Sequence, residues 1–135
     1  MERLPDGYHL SPHLTVGEIK CRCGCGFGTQ EGDLKPAIIR KFEQLRKAVG
    51  LPLYINSGCR CAKYNRAIGG SKHSAHIEGL ALDIRCPDKI DYEKFYELAE
   101  RIAGDGGCGY YPGSNFVHID ARTTPPRRRW GRKHP

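Results

Sequence analysis

Residues 57–83 read SGCRCAKYNRAIGGSKHSAHIEGLALD, and the rest of the chain is organised around them. His76 and Asp83 stand seven positions apart, with Gly79 between them to permit a tight turn into the strand that bears Asp83. A third candidate, His118, lies downstream in NFVHID. There the alternation sets His118 and Asp120 on one face and Val117 and Ile119 on the other, toward a core. A lone histidine in a strand is more often a packed residue than a ligand. Two imidazoles and one carboxylate together make a three-ligand zinc set, with a fourth position left for water, as a catalytic zinc site requires.

Outward from this stretch, the pattern is one of short elements. Residues 53–56 (LYIN) predict a strand that delivers Ser57, Gly58 and Arg60 at its end, and residues 62–68 a short helix closed by Gly69 and Gly70. Residues 80–84 predict the next strand, broken by Pro87. Upstream, Ile38, Phe42, Leu45 and Val49 recur at three- and four-residue steps, which predicts an amphipathic helix over 36–49 opened by Pro36 and stopped by Gly50. Downstream, Phe95, Leu98, Ala99 and Ile102 predict a second helix over 92–103, with Asp91 as its N-cap. Residues 108–111 and 115–120 predict two strands joined at Pro112-Gly113. Thr15 and Glu18 have capping-box spacing near the N-terminus, where His9 and His13 read as solvated. The fold class expected is α+β: a small, mostly antiparallel sheet with helices packed on it, in a single domain.

The bulk properties agree. The 135 residues suit one domain, and 17 Gly and 9 Pro argue against a long helical bundle. The net charge of +7 favours anionic partners, nucleic acid or an anionic cell envelope. No apolar run is long enough to span a bilayer, and MERLPDGYHLSPHL lacks a signal-peptide core. The expectation is a chain made in the cytoplasm, as a monomer. The seven cysteines are odd in number, which leaves at least one unpaired or shared between chains. CRCGCG at 21–26 reads either as a metal or disulfide knot or as a turn packed by small thiols; Cys59 and Cys61 read as buried or paired rather than reactive. Gly69-Gly70-Ser71 lacks P-loop spacing, and Ser71 and Ser74 have no His-Asp relay. In PPRRRWGRKHP the arginines, Lys133 and Trp130 have the composition of a single-strand contact. So short a tail is expected to be solvated charge, extended or frayed, with no specific nucleic-acid partner.

The segments SGCRC-x-x-YN, GGSKHSAHIEGLALDI and YYPGSNFVHID resemble the zinc D-Ala-D-Ala carboxypeptidase and murein endopeptidase family, peptidase family M15, over most of residues 10–130. The S-x-H-x(6)-D pattern falls on Ser74, His76 and Asp83, and the later H-x-D strand on His118 and Asp120. The opening SPHLTVGEIKCRCGCG is similar to the small, often phage-encoded branch. The resemblance implies a hedgehog/DD-peptidase-like fold and zinc held by His76, Asp83 and His118. It divides the chain into an irregular Cys-rich segment (1–30), a zinc peptidase core (31–124) and a basic tail (125–135). It implies Arg60 as the arginine of S-G-x-R, holding an oxyanion or a substrate carboxylate. The substrates implied are peptidoglycan stem peptides or crosslinks, cut at the bacterial cell wall by a carboxypeptidase or endopeptidase of phage or prophage kind. One position departs from the pattern. Related branches carry Glu or His three places before the last ligand, and here Asn115 stands there. Asp120 is then the substitute general base or the residue that orients His118, and His73 the other candidate base; Glu78 reads as solvated. Tyr110 and Tyr111 line the cleft or simply pack. Because an amide cannot take a proton, a zinc-binding module that binds wall peptides or protein without cutting is the alternative function, as the related hedgehog signalling domain shows for this fold.

Overall fold

The computed structural model describes residues 2–131. Its centre is a five-stranded sheet of β3 (Tyr54–Ser57), β4 (Ala81–Arg85), β5 (Cys108–Tyr111), β6 (Phe116–Asp120) and β7 (Arg129–Trp130), in the spatial order β3-β4-β6-β5-β7. All neighbours are antiparallel except β5 and β7, which run parallel. Two helices, α2 (Pro36–Val49) and α4 (Tyr92–Ala103), pack against each other over the sheet. The α+β architecture with a mostly antiparallel sheet is the one the sequence predicts.

Both helices begin and end where their residues require. Pro36 opens α2, and Gly50 closes it at φ 72°, a left-handed conformation that glycine adopts without cost. The Asp91 side chain accepts the Lys94 amide and caps α4. Ile38, Phe42 and Leu45 of α2 meet Phe95, Tyr96 and Ala99 of α4 in one core with Leu82, Ile84, Val117 and Ile119 of the sheet. Each such aliphatic or aromatic side chain contributes about 1.5–3 kcal/mol on burial. Leu98 and Ile102, expected inward, lie at the margin of this core, while Tyr96 and Ala103 are inside it. The residue before Val49 on the stripe keeps its place, and Val49 itself is only partly covered.

The N-terminal segment, expected to be irregular, carries a hairpin of β1 (His9–Ser11) and β2 (Leu14–Thr15) and a single-turn helix α1 (Val16–Ile19). The Glu18 carboxylate accepts from both the amide and the hydroxyl of Thr15, at 3.0 and 2.9 Å. Leu14, Val16 and Ile19 are wholly buried, so this segment closes one side of the domain. His13 is not simply solvated; its ring pairs with Glu43 of α2 at 2.8 Å. A short helix α3 (Ala62–Ala67) follows β3 as expected.

The tail, expected to be solvated charge, extended or frayed, is extended where it is described, and it is docked on the domain rather than frayed. Arg129 and Trp130 form β7 at the sheet edge, in register with Cys108 and Gly109. Arg127 pairs with Asp105, and Arg129 with Glu100. Carbonyl groups at the end of α4 also accept from Arg129, Gly104 at 2.7 Å among them. Arg132 and Lys133, grouped with these residues in the basic-tail reading, lie outside the described residues. Among the described residues, no helix is long and apolar enough to cross a membrane.

Candidate active site

Sheet register builds the site. On the face away from the helices, Ser57 pairs with Asp83, Asp83 with His118, His118 with Gly109, and Gly109 with Trp130. One row of residues therefore crosses all five strands. A side chain at Gly109 would strike the Trp130 indole at 2.6 Å, so glycine there leaves the space the ring fills. The indole lies 4.9 Å from the His118 ring, centroid to centroid, and donates to the Tyr111 hydroxyl at 2.7 Å.

His76 arrives from the loop before β4. That loop is closed by Gly79, whose φ is 69°. A Cβ at Gly79 would fall 1.8 Å from the Asp33 carbonyl oxygen, so only glycine fits this turn. His76 Nε2 lies 3.1 Å and His118 Nδ1 3.0 Å from the same Asp83 oxygen. His76, Asp83 and His118, the three ligands expected from the sequence, thus converge with donor atoms all within 4.8 Å of one another.

The outer nitrogen of each ring is committed elsewhere. His76 Nδ1 lies 2.7 Å from the Gly58 carbonyl, which only accepts, and His118 Nε2 lies 2.7 Å from Asp120 Oδ2. Each ring therefore spends its N–H outward and turns a lone pair toward Asp83, itself an acceptor. Three acceptors facing one point fit a cation. An outward N–H to a carbonyl or carboxylate is also how metal-ligating histidines are held. Without a cation, protons serve the same end. Burial would push the Asp83 carboxyl up, but hydrogen bonds from His118 and His76 outweigh it and hold the group well below the usual carboxylate range. Burial would lower His118, but Asp120 and Asp83 together push it up.

Arg60 lines the cleft with only 11% of its side chain exposed. Its guanidinium donates to Asp83 Oδ2 at 3.1 Å, to Ser57 Oγ at 2.9 Å and to Asn65 Oδ1 at 2.9 Å. Asn65, itself buried, donates to the Ser71 carbonyl at 2.8 Å, which ties the glycine-rich loop to Arg60. Asp120 is completely buried. Arg128 grips it through Nη2 at 2.5 Å and Nη1 at 3.3 Å, and the Gly107 amide donates at 2.9 Å. Burial opposes ionisation of Asp120 too, yet His118 and Arg128 keep its carboxyl far below the ordinary value.

Asn115 does not face the site. It sits at φ 57° after the 3-10 turn Pro112–Ser114, a left-handed position asparagine tolerates. Its carbonyl accepts from the Cys86 amide and its side chain donates to the Cys86 carbonyl, at 2.9 and 3.4 Å. His73 is exposed and lines the cleft, its carbonyl held by Arg122 at 2.7 Å. Glu78 is exposed and 3.6 Å from Arg122. Tyr111 lines the cleft and stacks on Phe116, whereas Tyr110 turns to the core, edge-on to Tyr92 and Tyr96 and bonded to Glu93. The cleft measures about 740 Å³. Arg122, Arg128 and Trp130 also line the cleft; the sequence placed Arg128 and Trp130 in a basic tail and gave Arg122 no role.

These features amount to a buried two-histidine, one-aspartate cluster, on a small and mostly antiparallel sheet, that could hold a metal ion. Residues 12–120 match the peptidase M15 family, and the chain belongs to it. The chain is 34% identical over 105 residues to the Haemophilus influenzae protein named "Probable peptidoglycan L,D-endopeptidase MepK", covering 72% of this chain and 54% of that protein. It is 37% identical over 99 residues to the peptidoglycan L,D-endopeptidase MepK of Escherichia coli K12, covering 66% and 52%. The chain thus spans about half the length of the curated relatives it matches.

Proposed function

We propose that this chain is a zinc-dependent peptidase that cuts peptidoglycan peptides, and that it acts as an endopeptidase at the bacterial cell wall. The observation that carries the reading is the convergence of two imidazole lone pairs and the Asp83 carboxylate on one point in an M15 chain. His76, Asp83 and His118 are the residues that would hold zinc. When bound there, zinc supplies Lewis acidity, which acidifies water toward a pKa of about 7 and polarises an amide carbonyl.

The chain's own residues do the rest. Arg60 positions Asp83 by donating through Nη2 to Oδ2. Asp120 acts through His118, fixing the ring's tautomer and orientation; buried and gripped by Arg128, it is a positioning residue rather than the base. His73 is then the proton carrier, an imidazole at the cleft wall able to take a proton and return it to the leaving amine. Arg122, a quarter exposed, presents a guanidinium to the carboxylates of a wall peptide. The endopeptidase assignment rests on the similarity to the two MepK proteins.

One observation favours a second reading, a zinc-holding module that binds wall peptides without cutting them. The two carboxylates that line the cleft, Asp83 and Asp120, are both committed to partners. Turnover separates the two. Purified peptidoglycan digested with and without a chelator, with mass analysis of the products, is expected to show zinc-dependent release of cut crosslink or stem peptides. Zinc-loaded protein that releases nothing from several wall types, yet binds them, would establish the module instead.

A further inference from the structure

A second cluster lies outside the cleft, made by the N-terminal loop and the residue after Arg60. Cys21, Cys23 and Cys25 come together with Cys61, although Cys23 and Cys61 are 38 residues apart in sequence. The Cys21 and Cys23 sulfurs are 3.4 Å apart, those of Cys23 and Cys61 3.6 Å, and all four lie within 4.8 Å of one another. Zinc bonds to sulfur at about 2.3 Å, so the edge of a tetrahedral four-sulfur site is about 3.8 Å. The cluster already has the size of that tetrahedron.

The backbone is shaped for it. In a plain strand, alternate residues share a face but stand about 6.6 Å apart, too far for one ion. Here Gly24 and Gly26, at φ 81° and 100°, fold the run 21–26 back on itself, and the Gly24 amide bonds to the Cys21 carbonyl at 3.2 Å. Amide N–H groups aim at three of the sulfurs: Cys61 at Cys21 Sγ (3.4 Å), Phe27 at Cys25 Sγ (3.5 Å) and Tyr64 at Cys61 Sγ (3.3 Å). Donors to sulfur favour thiolates, and gathered thiolates repel unless a cation lies between them. Cys59, Cys86 and Cys108 are buried and do not belong to the cluster, which accounts for the odd total.

We propose that Cys21, Cys23, Cys25 and Cys61 bind a structural zinc ion, separate from the His76–Asp83–His118 centre. Four protein sulfurs leave no open position, so this ion performs no hydrolysis. It staples the N-terminal loop to the residue that follows Arg60, and so backs the arginine that holds Asp83.

Metal analysis of the whole chain, purified under reductant, tests this without reference to activity. Wild type is expected to carry two zinc ions per chain, Asp83→Asn one, and the Cys23→Ser/Cys25→Ser double variant one. Replacement by cobalt is expected to give a thiolate-to-metal charge-transfer band in wild type and Asp83→Asn that the double variant lacks. If the double variant fails to fold, the cobalt spectrum and thiol alkylation of Asp83→Asn still decide, with four thiols shielded until a chelator is added. Asp83→Asn with no zinc, cobalt binding with no thiolate band, or prompt alkylation of the four cysteines in zinc-loaded protein would each overturn the proposal. One zinc in both wild type and Asp83→Asn would support it while refuting the zinc centre of the proposed peptidase.

Discussion

The imidazole–carboxylate cluster and the thiol cluster are built on opposite plans. The first rests mainly on regular structure: β4–β6 register sets Asp83 against His118 in an unbroken row of residues across five strands, and His76 joins them from a loop closed by Gly79. Its members are buried, and nearly every polar atom has a partner before any ion is considered. The second sits on a glycine-folded loop and the start of a short helix, with Cys23 and Cys25 exposed. The lesson is about what must be rigid. A centre that does chemistry needs its ligands fixed by the scaffold, so that an open position keeps its geometry. A closed tetrathiolate can be ordered by the ion itself, because binding energy and folding energy are then one quantity.

Substitutions can break this contrast, the largest effect first. Asp83→Asn removes the acceptor on which both imidazoles converge. Peptide release from peptidoglycan, followed by chromatography, is expected to fall by more than the roughly 10–100-fold typical of an outer partner, with the Tm little lowered. Arg128→Gln leaves the ligands intact but frees Asp120. A fall in kcat/KM of about 10–100-fold is expected, partly rescued by Arg128→Lys, since a charge without the guanidinium fork restores only part of the grip. Cys61→Ser inverts the pattern: its first reading is a Tm lowered on the order of 5–15 °C, measured by calorimetry in reductant, with a smaller loss of turnover.

The smallest effect lies in neither cluster. Burial alone would raise the Glu43 carboxyl, but hydrogen bonds from Ser11 and His13 outweigh it and hold it below its ordinary value. A carboxyl with a lowered folded-state pKa stabilises the fold above its unfolded value, near 4.3, and loses that contribution as pH falls through the folded one. Glu43→Gln is therefore expected to cost about 1 kcal/mol at pH 7 and almost nothing in strong acid, as read by urea melts at the two pH values. A pH-independent loss would mean that Glu43 acts by packing rather than charge.

Much of this was legible in the sequence, for stated reasons. The bounds of α2 and α4 follow from apolar periodicity together with Pro36, Gly50 and Asp91, all local signals. His76, Asp83 and His118 stood out because glycine and strand alternation announce a shared face. Three things were not legible. β7 is two residues long and arginine-rich, with no hydrophobic period, and its place depends on a parallel pairing that no neighbouring residue encodes. Arg128 shares that fate, since its value lies wholly in reaching Asp120. Cys61 joins Cys21, Cys23 and Cys25 through tertiary folding alone, so the C-x-C-x-C run stayed open between a metal or disulfide knot and a turn packed by small thiols. Asn115 misled in the other direction, because spacing in a motif does not report which way a left-handed turn points its side chain.

Trp130 is the only tryptophan in the chain, and its ring rests against His118. The protein therefore carries an intrinsic optical probe at the heart of its cleft. Indole emission responds to the charge of an adjacent imidazole, so ordinary fluorescence would report a cation entering or leaving the proposed His76–Asp83–His118 site. No dye, label or second indole would confuse the signal.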